Sequence, residues 1–236
     1  MQIYLVVLVC SMIQSVIGVG LLVFGTPTLL VLGHSFESTL SIVLPCSITI
    51  SLLQVFESVN DNKSYLKDFG IFALVPTALA LGFVLAFPDL LDPKKVVASL
   101  LIITGILRFF KPAQNLLVTF IKKYKKSYLL LMGLIHGFSN MGGGLLTIYS
   151  SSVSQGKDRI RSHIAAGYLA WGILQYLILL FKSPQYLSLK TLAYVGIAFV
   201  VYKSVGVKLF KFTSDFVYQH LITFLIFCYG ITLFLK

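Results

Sequence analysis

Runs of Leu, Ile, Val and Phe recur along the chain, with charged residues gathered at their ends. The runs Ser38–Phe56, Phe69–Phe87, Val96–Phe110, Ser162–Phe181, Leu189–Val207 and Phe216–Leu235 approach the ~20 residues that carry a helix across ~30 Å of hydrocarbon. In that solvent every backbone N–H and C=O must be satisfied within its own segment, so the pattern predicts transmembrane helices. Two further stretches break it. Ile3–Ile17 is apolar, "GVG" (Gly18–Gly20) interrupts, and Leu21–Leu32 resumes with Gly25 and Pro27 inside. Likewise Tyr128–Met141 runs into Gly142, Gly143 and Gly144, followed by "LLTIYSSSVSQGKDR". The returning arm there has about 13 residues before Lys157, or about 20 Å of helix, too short to cross alone. Both interrupted stretches are therefore expected to be re-entrant helical hairpins.

Composition agrees with this solvent: 57% of the residues are hydrophobic, 11% are charged, and mean hydropathy is +0.91. The first 15 residues have no basic n-region and no A-x-A-like cleavage site, so they are expected to be retained rather than removed as a signal peptide. The net charge of +11 sits at the ends of apolar runs, where it reports topology rather than nucleic-acid binding. Eight full spans would divide the 19 Lys and Arg residues eight to eleven, whereas two re-entrant hairpins and six full spans divide them fourteen to five. The second arrangement obeys the positive-inside rule better, and it puts both termini outside. The block "KPAQNLLVTFIKKYKKSY" reads as a basic connector facing anionic lipid. Its core, residues 116–126, separates a first repeat of 1–115 from a second of 127–236.

The repeats themselves are legible. "GLLVFGTP" from Gly20 and "GLLTIYSS" from Gly144 match at a spacing of 124, as do Gly82 and Gly206; "TGILRFF" from Thr104 matches "YGITLFL" from Tyr229 at 125. With three full crossings per half, the halves would run in opposite senses. The expected fold class is thus an all-α polytopic membrane protein of two inverted repeats, each a Gly-broken re-entrant hairpin followed by three transmembrane helices, with eight full spans as the alternative.

A helix broken inside hydrocarbon exposes backbone groups that only protein or a wet cavity can satisfy. The returning arm starts with free N–H groups at the positive end of a helix dipole, and glycine admits an anion to them without a Cβ in the way. Gly18, Gly20, Leu21, Gly142, Gly143 and Gly144 are therefore candidates for substrate binding, with Ser139, Asn140, Thr147 and Ser150 as uncharged side-chain donors. The competing reading is that the glycines only permit close helix packing. His136, Lys203, Gln54, Trp171 and Gln175 are candidates for coupling or for lining a cavity, against hydrogen-bonded, snorkelling or packing roles. Pro45 and Pro76 are expected to kink their helices. His34, Glu37, Glu57, His163 and His220 fall near span ends, as interfacial residues do. Cys10, Cys46 and Cys228 lie within apolar segments and suggest no disulfide framework. No catalytic set, metal-ligand spacing or P-loop stands out, so neither an enzyme nor a cofactor is expected.

Two Gly-interrupted hairpins, one opening each half, together with "VIGVGLLVFGTPTLLVLG", resemble the sulfite exporter TauE/SafE family over nearly the whole chain. The resemblance is anchored by Gly18, Gly20, Gly25, Pro27 and Gly33 in the first half and by Gly137, Gly142, Gly143 and Gly144 in the second. The first repeat lacks a glycine of the family's fuller pattern, and the second has serine where the proline belongs. What the resemblance implies is transport, often export, of sulfite, sulfonates or other small organic anions across the bacterial cytoplasmic membrane. A secondary transporter of a small anion by alternating access is thus the leading expectation; an anion channel and a non-transporting membrane scaffold are the alternatives. Lipid is the expected surroundings, and a homo-oligomer is compatible with this arrangement.

Overall fold

The computed structural model describes residues 1–58, 63–90, 92, 95–97, 99–100, 103, 106, 110–218, 220–221 and 224. The described residues form helices and no strand. In chain order these are α1 (Gln2–Ile17), a wide π turn (Leu21–Gly25) running into α2 (Thr26–Val31), α3 (Phe36–Glu57), α4 (Lys63–Phe69) and α5 (Val75–Ala86). There follow α6 (Lys111–Lys123), α7 (Lys125–Ser139), α8 (Gly143–Val153), α9 (Lys157–Lys182), α10 (Leu189–Val201) and α11 (Val207–Phe212). A π turn at Gly70–Leu74 joins α4 to α5, and another at Tyr202–Gly206 joins α10 to α11, so each pair forms one rod.

Among the described residues, four helices are long and apolar enough to cross a membrane: Phe36–Glu57, Tyr65–Ala86, Lys157–Lys182 and Leu189–Phe212. The shortest has 22 residues, about 33 Å of helix against ~30 Å of hydrocarbon. Gln2–Ile17 and Leu21–Val31 are apolar but shorter. The expected third spans of each half, Val96–Phe110 and Phe216–Leu235, fall largely outside the described residues, as do the "TGILRFF" and "YGITLFL" match and Cys228.

Local chemistry accounts for these elements. Ser35 caps α3 by accepting from the Ser38 N–H at 3.2 Å, with Glu37 in the first turn at the positive end of the helix dipole. In α9, Asp158 opens the helix and Lys182 closes it, matching the dipole at both ends. Pro76 has no N–H to donate, and the π turn at Gly70–Leu74 lies just before it, where the helical ladder must be re-registered. Pro45 is carried inside α3 without ending it.

The molecule is apolar outside and partly polar inside, the reverse of a protein folded for water. Leu5, Leu79, Phe181, Leu192 and Val200 are exposed, whereas Gln14, Ser47, Ser51, Gln54, Thr77, His136, Asn140 and Gln175 are buried. An outward surface of this kind suits hydrocarbon, and the chain is a helical membrane protein. Its centre is the crossing of α3 with α9, where a Cβ on Gly172 would meet Ile48 at 2.8 Å. Ion pairs gather at the two ends of the bundle. At one end Lys182 donates to Glu37 at 2.9 Å; at the other Lys203 meets Glu57 at 2.7 Å and Lys125 meets Asp68 at 2.5 Å.

Candidate functional site

Both glycine breaks lie in the interior. Gly18 ends α1 in the left-handed region at φ 82°, its N–H donating to the Gln14 carbonyl at 2.8 Å. Asn140 ends α7 the same way at φ 61°, donating to the His136 carbonyl at 2.7 Å. Glycine enters that region freely, and asparagine is the residue that most often replaces it there. After the first break the chain folds back onto α1 closely enough that a Cβ on Gly20 would lie 2.4 Å from the Cys10 carbonyl oxygen.

Several of the polar groups opened at the first break are taken up by protein. The Leu21 N–H donates to Gln14 Oε1 at 3.1 Å, and Gln14 Nε2 donates to Ser47 Oγ at 2.9 Å and Ser51 Oγ at 3.2 Å. Gln54 Nε2 donates to the Gln14 and Ser15 carbonyls at 2.9 and 3.3 Å, and the Tyr218 hydroxyl donates to the Ile17 carbonyl at 2.9 Å. The Leu21 N–H and the Ser15 and Ile17 carbonyls are ends that helix geometry leaves open.

At the second break His136 does what Gln14 does at the first. The Gly142 N–H donates to His136 Nδ1 at 3.2 Å, so the proton assigned by this network sits on Nε2, which faces Gln175 Oε1 at 3.0 Å. The imidazole is fully buried and stacks on Trp171 with centroids 3.8 Å apart. Ser139 Oγ donates to the Ile135 carbonyl and accepts from the Met141 N–H, and Thr147 Oγ1 donates to the Gly144 carbonyl. These two hydroxyls thus serve the backbone of the break.

Other donors at the second break have no hydrogen-bond partner. The Tyr168 hydroxyl, Trp171 Nε1 and Gln175 Nε2 are completely buried and unpaired. Spaced three and four residues apart, they share one face of α9. Gly143 lies directly under the first of them, since a Cβ there would sit 1.7 Å from the Tyr168 hydroxyl oxygen. Gly143 and Gly144 open α8, where first-turn N–H groups lack partners within the helix. Ser150, also buried, lies two turns further along α8 from Gly143, on the same face.

The two breaks touch. Asn140 Nδ2 donates to Thr26 Oγ1 at 2.8 Å, and the same Gly143 Cβ would lie 2.6 Å from Val23 Cγ2. Of the residues singled out in the sequence, Gly18, Gly20, Leu21, Gln54, His136, Ser139, Asn140, Gly142, Gly143, Gly144, Thr147, Trp171 and Gln175 come together around this contact. Lys203 does not: it lies at one end of the bundle on Glu57. Gln14 and Tyr168 belong to the site and were missed by sequence reasoning. A glutamine deep in a 16-residue apolar helix, Gln14, was a usable signal, and so was the spacing of Tyr168 from Gln175.

Compared with protein-family models, curated proteins and solved structures, the chain has no match.

Proposed function

We propose that the chain is a secondary transporter of a small anion, which it holds at the second glycine break. The observation that carries this reading is the set of buried, unpaired donors on Tyr168, Trp171 and Gln175 beside the open end of α8. Buried donors without acceptors are costly, about 1–3 kcal/mol each, and an oxyanion would satisfy several together. The positive end of the α8 dipole adds to the attraction, and no charged side chain must be desolvated to supply it. The Tyr168 hydroxyl stands over Gly143, where such an anion would dock, so the occupied state moves that ring or uses its O–H.

Several contacts support six full spans and two re-entrant hairpins in inverted repeats. The outer ends of α1 and α2 lie towards the Glu37–Lys182 end: Tyr4 packs on Tyr194 near the start of α10, and α2 leads directly into α3. The outer ends of α7 and α8 lie towards the opposite end, where Lys125 meets Asp68 and the Lys157 ammonium donates to the Phe210 and Thr213 carbonyls. Hairpins entering from opposite sides and touching at their tips are the geometry from which alternating access is built. The parallel roles of Gln14 with Gln54 and of His136 with Gln175 fit the same duplication. The left-handed caps at Gly18 and Asn140 put its spacing at 122 before the turn, two short of the sequence match. The resemblance to the sulfite exporter family, which belongs to this same proposal, points to sulfite and sulfonates as the substrate class.

In proteoliposomes, uptake of sulfite or a small sulfonate should saturate and be stimulated by the same anion on the far side. Conductance far above carrier turnover would replace the carrier with a channel, and no movement of any tested anion would leave a scaffold. Tyr168→Phe separates site from fold. Removing an unpaired hydroxyl should change stability by less than about 1 kcal/mol, yet weaken anion half-saturation about tenfold, the worth of one hydrogen bond to a charged group. Unchanged transport in this variant would remove Tyr168 from the site.

A further inference from the structure

We infer that a second oxyanion-binding site lies in the cavity of about 540 Å³ where the end of α3, the start of α9 and α11 meet, with Arg161 as its principal ligand. Arg161 lines this cavity and is only 7% exposed. A guanidinium withdrawn from water this far normally faces a carboxylate. Among the described residues, no ion pair includes Arg161. One terminal nitrogen donates to the Tyr202 hydroxyl at 3.0 Å, and the guanidinium lies over the Phe210 ring at 3.7 Å. The stack fixes the plane of a fork that has five N–H donors, most of them still uncommitted.

The nearby carboxylate is occupied elsewhere. Glu57 accepts from Tyr202 at 2.5 Å and pairs with Lys203 at 2.7 Å, so it neutralises Lys203 before Arg161. Asp158 and Lys211 also line the cavity, with opposite charges. Ser58 and Ser162 also line it, with their hydroxyl protons committed: Ser162 Oγ donates to Ser58 Oγ at 3.1 Å, and Ser58 Oγ to the Val55 carbonyl at 2.9 Å. A small tetrahedral or planar oxyanion matches the uncommitted fork, taking two parallel bonds from the guanidinium.

The location gives the site a purpose, which rests on the transport reading, although the binding does not. Arg161, Tyr168 and Gln175 recur every seven residues and so share one face of α9, with Arg161 about 10 Å along the helix from Tyr168. The Arg161 side chain also passes 3.6 Å from the place a Cβ would take on Gly18. An anion held at Arg161 therefore waits one step from the second break, beside the first.

Thiol protection tests this. Ser58→Cys is made in a protein whose Cys228 is replaced by Ser; Cys10 and Cys46 are buried. The new thiol is labelled with an anionic sulfonatoethyl and a cationic trimethylammonioethyl methanethiosulfonate. Sodium methanesulfonate at about 20 mM, against sodium gluconate at equal ionic strength, should slow labelling about threefold, as a site with Kd of about 10 mM requires. The anionic reagent should also react faster than the cationic one. Arg161→Gln should abolish the protection and reverse the preference, while Arg161→Lys keeps part of both. Absence of protection in the parent at about 100 mM overturns the proposal whatever the variants do, and so does full protection in a monodisperse Arg161→Gln protein. Protection without any transport would sink the transport reading and leave this site standing; transport without protection does the reverse.

Discussion

Gly20→Ala is expected to abolish the folded protein. Its Cβ would lie 2.4 Å from the Cys10 carbonyl oxygen and 2.5 Å from the Gln14 amide nitrogen, both backbone atoms of α1. Neither can rotate aside, so the returning arm must lift off α1 and give up the bond from the Leu21 N–H to Gln14 Oε1. Backbone overlap with loss of a buried hydrogen bond places the cost above about 4 kcal/mol, comparable to the stability of many domains. Size-exclusion chromatography in mild detergent should show aggregate in place of a monodisperse peak. Gly196→Ala is the matched control, because a Cβ there meets nothing within 4 Å and alanine favours the helix. A Gly20→Ala protein that behaves like the control would mean that the chain does not fold back on α1.

His136→Phe should be nearly as severe, for a different reason. Phenylalanine keeps the stack on Trp171 and fills the same space, but it can neither accept from the Gly142 N–H nor donate to Gln175 Oε1. Two buried groups lose their partners, at about 1–3 kcal/mol each. The melting temperature in detergent should fall sharply. His136→Gln should recover more than half of the loss, because Gln14 already performs this task at the first break through its own Oε1. Equal damage by both substitutions would show that the imidazole is needed for something other than these two bonds. Transport retained by His136→Gln would assign the residue to holding the break open rather than to carrying a proton.

The spans were legible to within a few residues. Ser38–Phe56, Phe69–Phe87, Ser162–Phe181 and Leu189–Val207 became Phe36–Glu57, Tyr65–Ala86, Lys157–Lys182 and Leu189–Phe212. The errors collect at polar ends. Asp68, Lys157, Arg161 and Lys208 look like loop residues to a hydropathy scan, yet their side chains reach partners or the interface while the backbone stays helical. Arg161 is the instructive case. Counted only as topological charge, it is one of nineteen cations, and nothing along the chain marks it as buried.

From the order of residues alone came a helical membrane protein, the positions of its main spans and the two places where helices break. Those follow from the solvent, since hydrocarbon makes each segment satisfy its own backbone and leaves a glycine break conspicuous. Which groups at each break find partners and which donors stay open was decided only by tertiary structure. Partners at the first lie 7 to 201 residues away, as Gln14 is to Leu21 and Tyr218 to Ile17, and the spacing along the chain holds no record of the longer distances. Side-chain identity limits what a group can donate or accept; packing alone determines whether the protein has already claimed it.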